Sequence, residues 1–381
     1  MKKYYLLAPG PTPLPPEVLQ ALARPILHHR TPEFEALFAR VRAGLRELHG
    51  TRGEVLVLSG SGTGAMEAAV VNLCSRGDRV IVIRCGKFGE RWAEICRAFD
   101  VEVLALDAPY GESVAPERLA AALRERPEAR AVFATQSETS TGVLEEIEAY
   151  AALTRARETL LVVDAVSSLG VVACPMDAWG VDVVVSGSQK GLMCPPGLAF
   201  IALNDRAWAR VERADLPRYY WDLEGERGWQ AKGQTQFTPP VSLLMGLDVA
   251  LGLLRAERLA DVYRRHERLA RATRAGVEGL GLGLFARATP SPAVTAIVAP
   301  PGIDGEAVVR AYGEAHHITI AGGQGEMKGR LFRLAHLGYV GDFDVIVALA
   351  ALERVLAGLG HPVDYGASLR AAQKVLEEVD Q

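Results

Sequence analysis

The chain has 381 residues, and 49% are hydrophobic against 23% charged, an ordinary globular composition that excludes extended disorder and is long enough for two or three domains. With 42 Lys and Arg against 46 Asp and Glu, the formal charge is −4, so there is no basic excess to neutralise a nucleic-acid backbone. No apolar run approaches 18 residues and no signal-peptide core follows Met1, so neither a membrane span nor export is expected, and the location expected is cytoplasmic.

The prolines at 9, 11, 13, 15 and 16 read as an extended arm rather than a helix. Phe34, Leu37, Phe38, Val41, Leu45 and Leu48 recur at helical spacing and predict a helix over 33–50. Short apolar strands then alternate with helices: strand 54–58, helix 65–73, strand 80–83, helix 89–99, strand 101–106, helix 116–126, strand 131–135, helix 145–155 and strand 160–164. Strands 181–186 and 198–203 follow. Many are continuously apolar, as expected of strands covered on both faces, which predicts a three-layer α/β domain with a mostly parallel sheet. From about 242 the pattern changes: a long helical stretch to about 280, broken near Arg255, then strand 293–298, helix 305–316, an extended piece 318–321, strand 331–334 and helix 343–359. This predicts a smaller α+β domain. The division expected is an arm over 1–20, a large domain over 21–250 and a small domain over 251–381, whose last dozen residues form a surface helix or a frayed end.

Three places carry chemistry. Ser61-Gly62-Thr63-Gly64 joins a strand to a helix, where unpaired N–H groups and the positive dipole end suit a phosphate; a plain helix cap explains the same residues. The dinucleotide pattern fits loosely from Gly60 to Ala65, but strand 80–83 ends in Arg84-Cys85-Gly86 and lacks the acid that pattern needs. Asp164 ends a buried strand where open α/β sheets bind ligands, or else caps a helix. Lys190 follows another buried strand in Ser188-Gln189-Lys190-Gly191, an unusual place for a solvated lysine and a suitable one for a lysine that forms an imine. A phosphate loop, a strand-end acid and an imine-forming lysine together meet the needs of pyridoxal phosphate.

At this point the sequence resembles the class V aminotransferases, fold-type I pyridoxal-phosphate enzymes, and within them the alanine–glyoxylate, serine–glyoxylate and serine–pyruvate branch. The matching segments are A-P-G-P-T-P-L-P, S-G-S-G-T-G-A-M-E-A-A, S-E-T-S-T-G-V, V-D-A-V-S-S-L-G, S-G-S-Q-K-G-L-M-C-P-P-G, T-P-P-V-S-L-L and L-F-R-L-A-H-L-G. The resemblance implies a ping-pong transaminase taking serine or alanine as donor and glyoxylate or pyruvate as acceptor. Phosphoserine, aspartate and aminoethylphosphonate aminotransferases of the same family stay open, as does a non-catalytic binder of the cofactor. It also implies that Lys190 carries the cofactor and Asp164 pairs with its ring nitrogen. Ser61, Gly62, Thr63 and Gln189 would hold the phosphate, and Thr139 would meet the phenolic oxygen or its surroundings. Arg333 would bind the substrate carboxylate, with Gly10 lying against the substrate. Thr238 would reach the phosphate of a neighbouring subunit in a homodimer with shared sites. Two positions depart from the family. Phe88 stands where an aromatic, commonly Trp, stacks on the ring, and Thr235 stands where a Tyr is frequent, keeping a hydroxyl only.

The remaining features read as structural. Cys74, Cys85, Cys96, Cys174 and Cys194 are odd in number and form no C-x-x-C pair, so they are buried thiols, neither a disulfide framework nor a metal site; all precede the small domain, where a cysteine desulfurase needs its nucleophile. His28-His29-Arg30 reads as a polar loop or an approach to the site, His316-His317 as a helix end without metal-binding company, and Arg264 to Arg274 as a solvated helix face.

Overall fold

A computed structural model describes residues 3–378. Seven strands build the main sheet: Glu54–Gly60 (β1), Arg79–Arg84 (β2), Glu102–Asp107 (β3), Ala131–Thr135 (β4), Leu160–Asp164 (β5), Val183–Gly187 (β6) and Gly197–Leu203 (β7). Their order across the sheet is β1-β7-β6-β5-β4-β2-β3, and β7 alone runs against its neighbours.

The apolar runs explain the three layers. Side chains alternate between faces along a strand. Val55, Val57, Ile81, Ile83, Leu161 and Val163 therefore pack one way, onto helices Pro32–His49, Pro116–Glu125, Ile147–Thr154 and Val241–Glu257. Leu56, Leu58, Val80, Val82, Phe133 and Val162 pack the other way, onto Gly62–Leu73, Lys87–Ala98 and Asp205–Val211. Helix ends follow local chemistry. Pro32–His49 starts with Thr31 accepting a hydrogen bond from the Phe34 N–H and stops at Gly50, whose φ of 59° is left-handed and whose added Cβ would lie 2.9 Å from the Pro175 Cα.

A second core gathers around a three-stranded antiparallel sheet, with Leu331–Ala335 central between Val294–Val298 and Ala321–Gly322. Phe332 and Leu334 enter that core beside Leu269, Tyr312 and Leu349. By alternation Arg333 faces the opposite way, and its guanidinium reaches Thr139, beyond the end of β4.

The proline-rich start departs from the expected arm. Tyr5–Leu6 pairs in parallel with Ile318–Thr319, the Leu7 carbonyl accepts from the Ala335 N–H at 2.9 Å, and the chain then bends over residues 8–11 before it reaches Pro15. Pro16–Leu22 is a helix, because proline at the first helical position loses no intrahelical bond and arrives with a helical φ. The long helical stretch is broken at Arg258, whose φ of 71° separates Val241–Glu257 from Leu259–Gly279. The arginine-rich face is less solvated than expected. Arg265, Arg268 and Arg274 keep only 22%, 23% and 12% of their side chains exposed, and they pair with Glu257, Asp342 and Glu267. The last helix covers Ala367–Leu376; the expectation for residues 379–381 lies outside the described residues. Among the described residues no helix is long and apolar enough to cross a membrane.

Candidate active site

The connections from β2 and β4 leave in opposite directions across the sheet, so a crevice opens at the C-terminal strand ends. Ser61, Gly62, Thr63, Met66, Phe88, Arg91, Ser137, Asp164, Val166, Ser167, Gln189 and Lys190 line it. Seven of the residues singled out in the sequence thus meet in one cleft although they span positions 61 to 190.

Ser61 follows β1 and caps helix Gly62–Leu73, its hydroxyl accepting from the Gly64 N–H at 3.4 Å. Ser61 therefore caps the helix and, with Gly62 and Thr63, also lines the cleft. Gly62 has no room for a side chain, since an added Cβ would lie 2.5 Å from Val166 Cγ2. The backbone can thus approach a ligand closely, with first-turn N–H groups that have no intrahelical acceptor. Gln189 keeps a buried side-chain carbonyl oxygen with no partner in the protein. Such an orphan at the end of a small-residue cradle fits a polar ligand.

Asp164 ends β5 and is 4% exposed, with Oδ1 accepting from the Val166 N–H at 2.8 Å. Burial pushes its pKa up to about 6, while that N–H, Arg91 and Lys190 hold it down. Lys190 donates from Nζ to the Pro9 carbonyl. Burial lowers its pKa to about 8; Asp164 opposes this, whereas Arg333 and Arg91 add to it. A lysine in that range gives and takes protons near neutrality.

The N-terminal segment closes the cleft over Lys190. Gly10 has φ of 136°, and a Cβ there would stand 2.5 Å from the Lys190 side chain. Thr12 grips the Lys190 carbonyl with its hydroxyl at 3.0 Å.

Arg333 is 5% exposed and donates to two carbonyls, Gly322 from Nε at 2.9 Å and Thr139 from Nη1 at 2.7 Å. No described carboxylate forms an ion pair with it, and burial brings its pKa down to about 10. The charge of Glu138 opposes this without pairing, and because a buried cation outside an ion pair is costly, an anionic ligand would offset it. Thr139 serves Arg333 through its backbone carbonyl; its side chain does not line the cleft, where Ser137 stands instead. Phe88 does line it, with its ring face turned to Arg91 at 4.7 Å.

Thr235 and Thr238 do not line the cleft of their own chain. Thr235 is buried and donates to the Phe237 carbonyl at 2.7 Å, while Thr238 is exposed. They sit in a segment that carries exposed Tyr219 and Tyr220 against Phe237, with Trp221 packed over Gly60 and Gly64. His28 and His29 stack on each other in a turn outside the cleft, and His316 ends a helix. The five cysteines are buried free thiols, and no cluster of three potential metal ligands occurs among the described residues.

One cleft residue, Arg91, and one residue that supports the cleft, Glu138, escaped the sequence reading. Arg91 lies one helical turn after Phe88. Glu138 is fully buried and accepts hydrogen bonds from the N–H groups of Phe88 and Gly89 at 2.8 and 3.0 Å and from Ser140. It therefore fixes the start of the helix that presents Phe88, and its burial raises its pKa. Its only sequence signal was a lone acid among small residues after a buried strand.

The donors present suit pyridoxal phosphate: a nucleophilic amine, a strand-end carboxylate, an aromatic face and a glycine-floored helix terminus. A family model described as aminotransferase class-V matches residues 4–329. The small subunit of a soluble hydrogenase from Synechococcus sp. (strain PCC 6716) is 46% identical over 380 residues, covering 98% of each chain. The L-aspartate–glyoxylate aminotransferase of Paracoccus denitrificans is 37% identical over 376 residues, covering 97% of this chain and 95% of its own. The crystal structure of pyridoxamine–pyruvate aminotransferase from Mesorhizobium loti superposes with a TM-score of 0.94 at 31% identity, covering 99% of this chain and 98% of that one.

Proposed function

The chain belongs to the class-V aminotransferase family, and from that premise we propose that it moves an amino group from serine or alanine to glyoxylate or pyruvate in two half-reactions. The enzyme is a transaminase dependent on pyridoxal phosphate. When bound, that cofactor supplies an aldehyde to take the amino group and an electron-withdrawing ring.

The observation that carries the reading is that half-buried Lys190, resting on the Pro9 carbonyl, lies near buried Arg333, a cation that forms no ion pair among the described residues and is opposed only through space by the charge of Glu138. Arg333 orients the substrate through its carboxylate with a planar fork. Lys190 would hold the cofactor, and its Nζ, which rests on the Pro9 carbonyl, would move the proton at the substrate α-carbon. Asp164 would accept the ring N–H and keep that proton in place. Ser61, Gly62, Thr63 and Gln189 hold the phosphate, Phe88 covers the ring, and Thr139 keeps Arg333 aimed. One fork serves donor and acceptor in turn, which favours a ping-pong order.

The cations support a small donor. Arg91 lies against Thr63 at 3.1 Å, at the phosphate end, and Arg333 takes the α-carboxylate. Arg91 and Lys190 are the cations that line the cleft among the described residues, while Arg333 stands outside that lining, held by the Gly322 and Thr139 carbonyls, with its charge felt at Lys190. Exposed Thr238, beside the aromatic patch of Tyr219 and Tyr220, supports a homodimer in which Thr235 and Thr238 complete the partner's phosphate site. The buried free thiols suit a reducing, cytoplasmic setting. Hydrogen chemistry, the business of the Synechococcus relative by its name, would leave Lys190, Asp164 and Arg333 without a use.

A donor panel of serine, alanine, aspartate, glutamate and phosphoserine against glyoxylate, pyruvate and 2-oxoglutarate tests this. Serine or alanine with glyoxylate or pyruvate should give the highest kcat/KM. Faster turnover of aspartate or phosphoserine would refute the donor, and a bound cofactor whose absorbance ignores every donor would refute catalysis.

A further inference from the structure

Ser61, Gly62, Thr63 and Gln189, the groups assigned to the cofactor phosphate, are all neutral, and so are Thr235 and Thr238. A phosphate monoester at neutral pH carries close to two negative charges. The end of one helix offers roughly half a positive charge against them. The charge sum at that end of the cleft is therefore unbalanced unless a cation joins it. Lys190 is committed to the aldehyde and Arg333 to the carboxylate.

Arg91 is the cation left over. It projects from helix Lys87–Ala98 into the cleft that Ser61, Gly62, Thr63 and Gln189 line. Its Nη1 donates to the Thr63 hydroxyl at 3.1 Å. Its guanidinium lies 4.7 Å from the centre of the Phe88 ring, which restricts where the fork can point. Glu90, the adjacent acid, is engaged by Lys87 and Tyr110. Among the described residues no carboxylate forms an ion pair with Arg91.

We propose that Arg91 is the counter-charge of the cofactor phosphate, held ready by Thr63 and Phe88. This rests on the pyridoxal-phosphate reading above. Thr63 then has two tasks, donating its own hydroxyl to the ligand and accepting from Arg91, which a hydroxyl can do at once. Phe88 likewise serves as a rail for the guanidinium as well as a cover for the ring.

The test compares two ligands that differ only in the phosphate. The full-length protein and its Arg91→Gln and Arg91→Lys variants are dialysed to equilibrium against pyridoxal phosphate or against pyridoxal, and bound ligand is measured by absorbance. Removing a charge-assisted hydrogen bond predicts that Arg91→Gln binds pyridoxal phosphate about ten- to a hundredfold more weakly. Its affinity for pyridoxal should be unchanged. Arg91→Lys should lie between the two, because a point charge keeps the attraction without the fork. Raising the salt concentration should erode the wild-type preference for the phosphorylated ligand more than that of Arg91→Gln. Equal losses for both ligands would overturn the proposal and leave Arg91 a structural or ring-covering residue, and no loss for pyridoxal phosphate would overturn it outright. Should Arg91→Gln fail to fold, Arg91→Lys decides, by losing affinity for pyridoxal phosphate alone or for both ligands. A wild-type protein that binds no pyridoxal phosphate would instead remove the cofactor reading on which the proposal stands.

Discussion

Replacing Arg333 separates a substrate-binding cation from a structural one. Burial takes its pKa down from the ordinary arginine value to about 10. At about 1.4 kcal/mol per tenfold, the protein bears roughly 3 kcal/mol for keeping that charge. A substrate carboxylate on the fork removes that cost, so Arg333→Gln should raise the apparent KM for the amino donor about a hundredfold. Arg333→Lys keeps the charge but cannot hold Gly322 and Thr139 while forking onto a carboxylate, so its KM should rise roughly tenfold. Stability in the absence of substrate should respond differently. Arg333→Gln loses two hydrogen bonds to carbonyls but also loses an uncompensated buried cation, and these changes offset to within about 1 kcal/mol. The assay is steady-state kinetics over donor concentration paired with thermal melting of the same preparations. A drop of several kcal/mol in stability with KM unchanged would refute the reasoning, for it would mean that Arg333 serves the fold.

Reduction of the holoenzyme with borohydride, followed by peptide mass mapping, should place the cofactor adduct on Lys190; an adduct on Lys87 or Lys232 would transfer the role elsewhere. Asp164→Asn should slow α-proton removal by on the order of a hundredfold or more, with Asp164→Glu milder, and wild-type turnover in the Asn variant would remove the carboxylate from the mechanism. The same residue has a pH signature in the cofactor-free protein. Its folded pKa of about 6 lies above the unfolded value, so its contribution falls as pH rises from about 4 to about 6, and Asp164→Asn should gain about 2–3 kcal/mol on the wild type across that window in urea titrations. Mixed Lys190→Ala and Thr238→Ala chains should recover activity through hybrid dimers with one intact site, whereas no recovery despite proven subunit exchange would contradict the shared site.

The main sheet was legible because its strands are buried on both faces and so read as unbroken apolar runs. The cleft was legible where chemistry and position coincide: a carboxylate at the end of β5, and a lysine just past β6. Helix Pro16–Leu22 was not, since five prolines in eight positions look extended until the last one proves to open a helix. Asp205–Val211 and Leu223–Gln230 were passed over because they are short and lie in a stretch rich in aromatic and charged residues. Glu138 was missed because two of its donors, Phe88 and Gly89, lie about 50 residues earlier in the chain. Arg91 was missed because one arginine on an amphipathic helix looks like any surface arginine until Thr63 is seen beside it.

The strap that begins the chain sets a clock on synthesis. Tyr5 and Leu6 are made well before their partners Ile318 and Thr319, which follow some 300 residues later. At about 5–20 residues per second a ribosome needs roughly 15–60 s to supply them. Until then Pro9 and Gly10 cannot be drawn into place over Lys190, however early the main sheet condenses. A nascent chain therefore holds a formed sheet and an exposed amine but no closed cleft. The reactive lysine is covered only once Ile318 and Thr319 have been made, and a chain released before them is left without its lid.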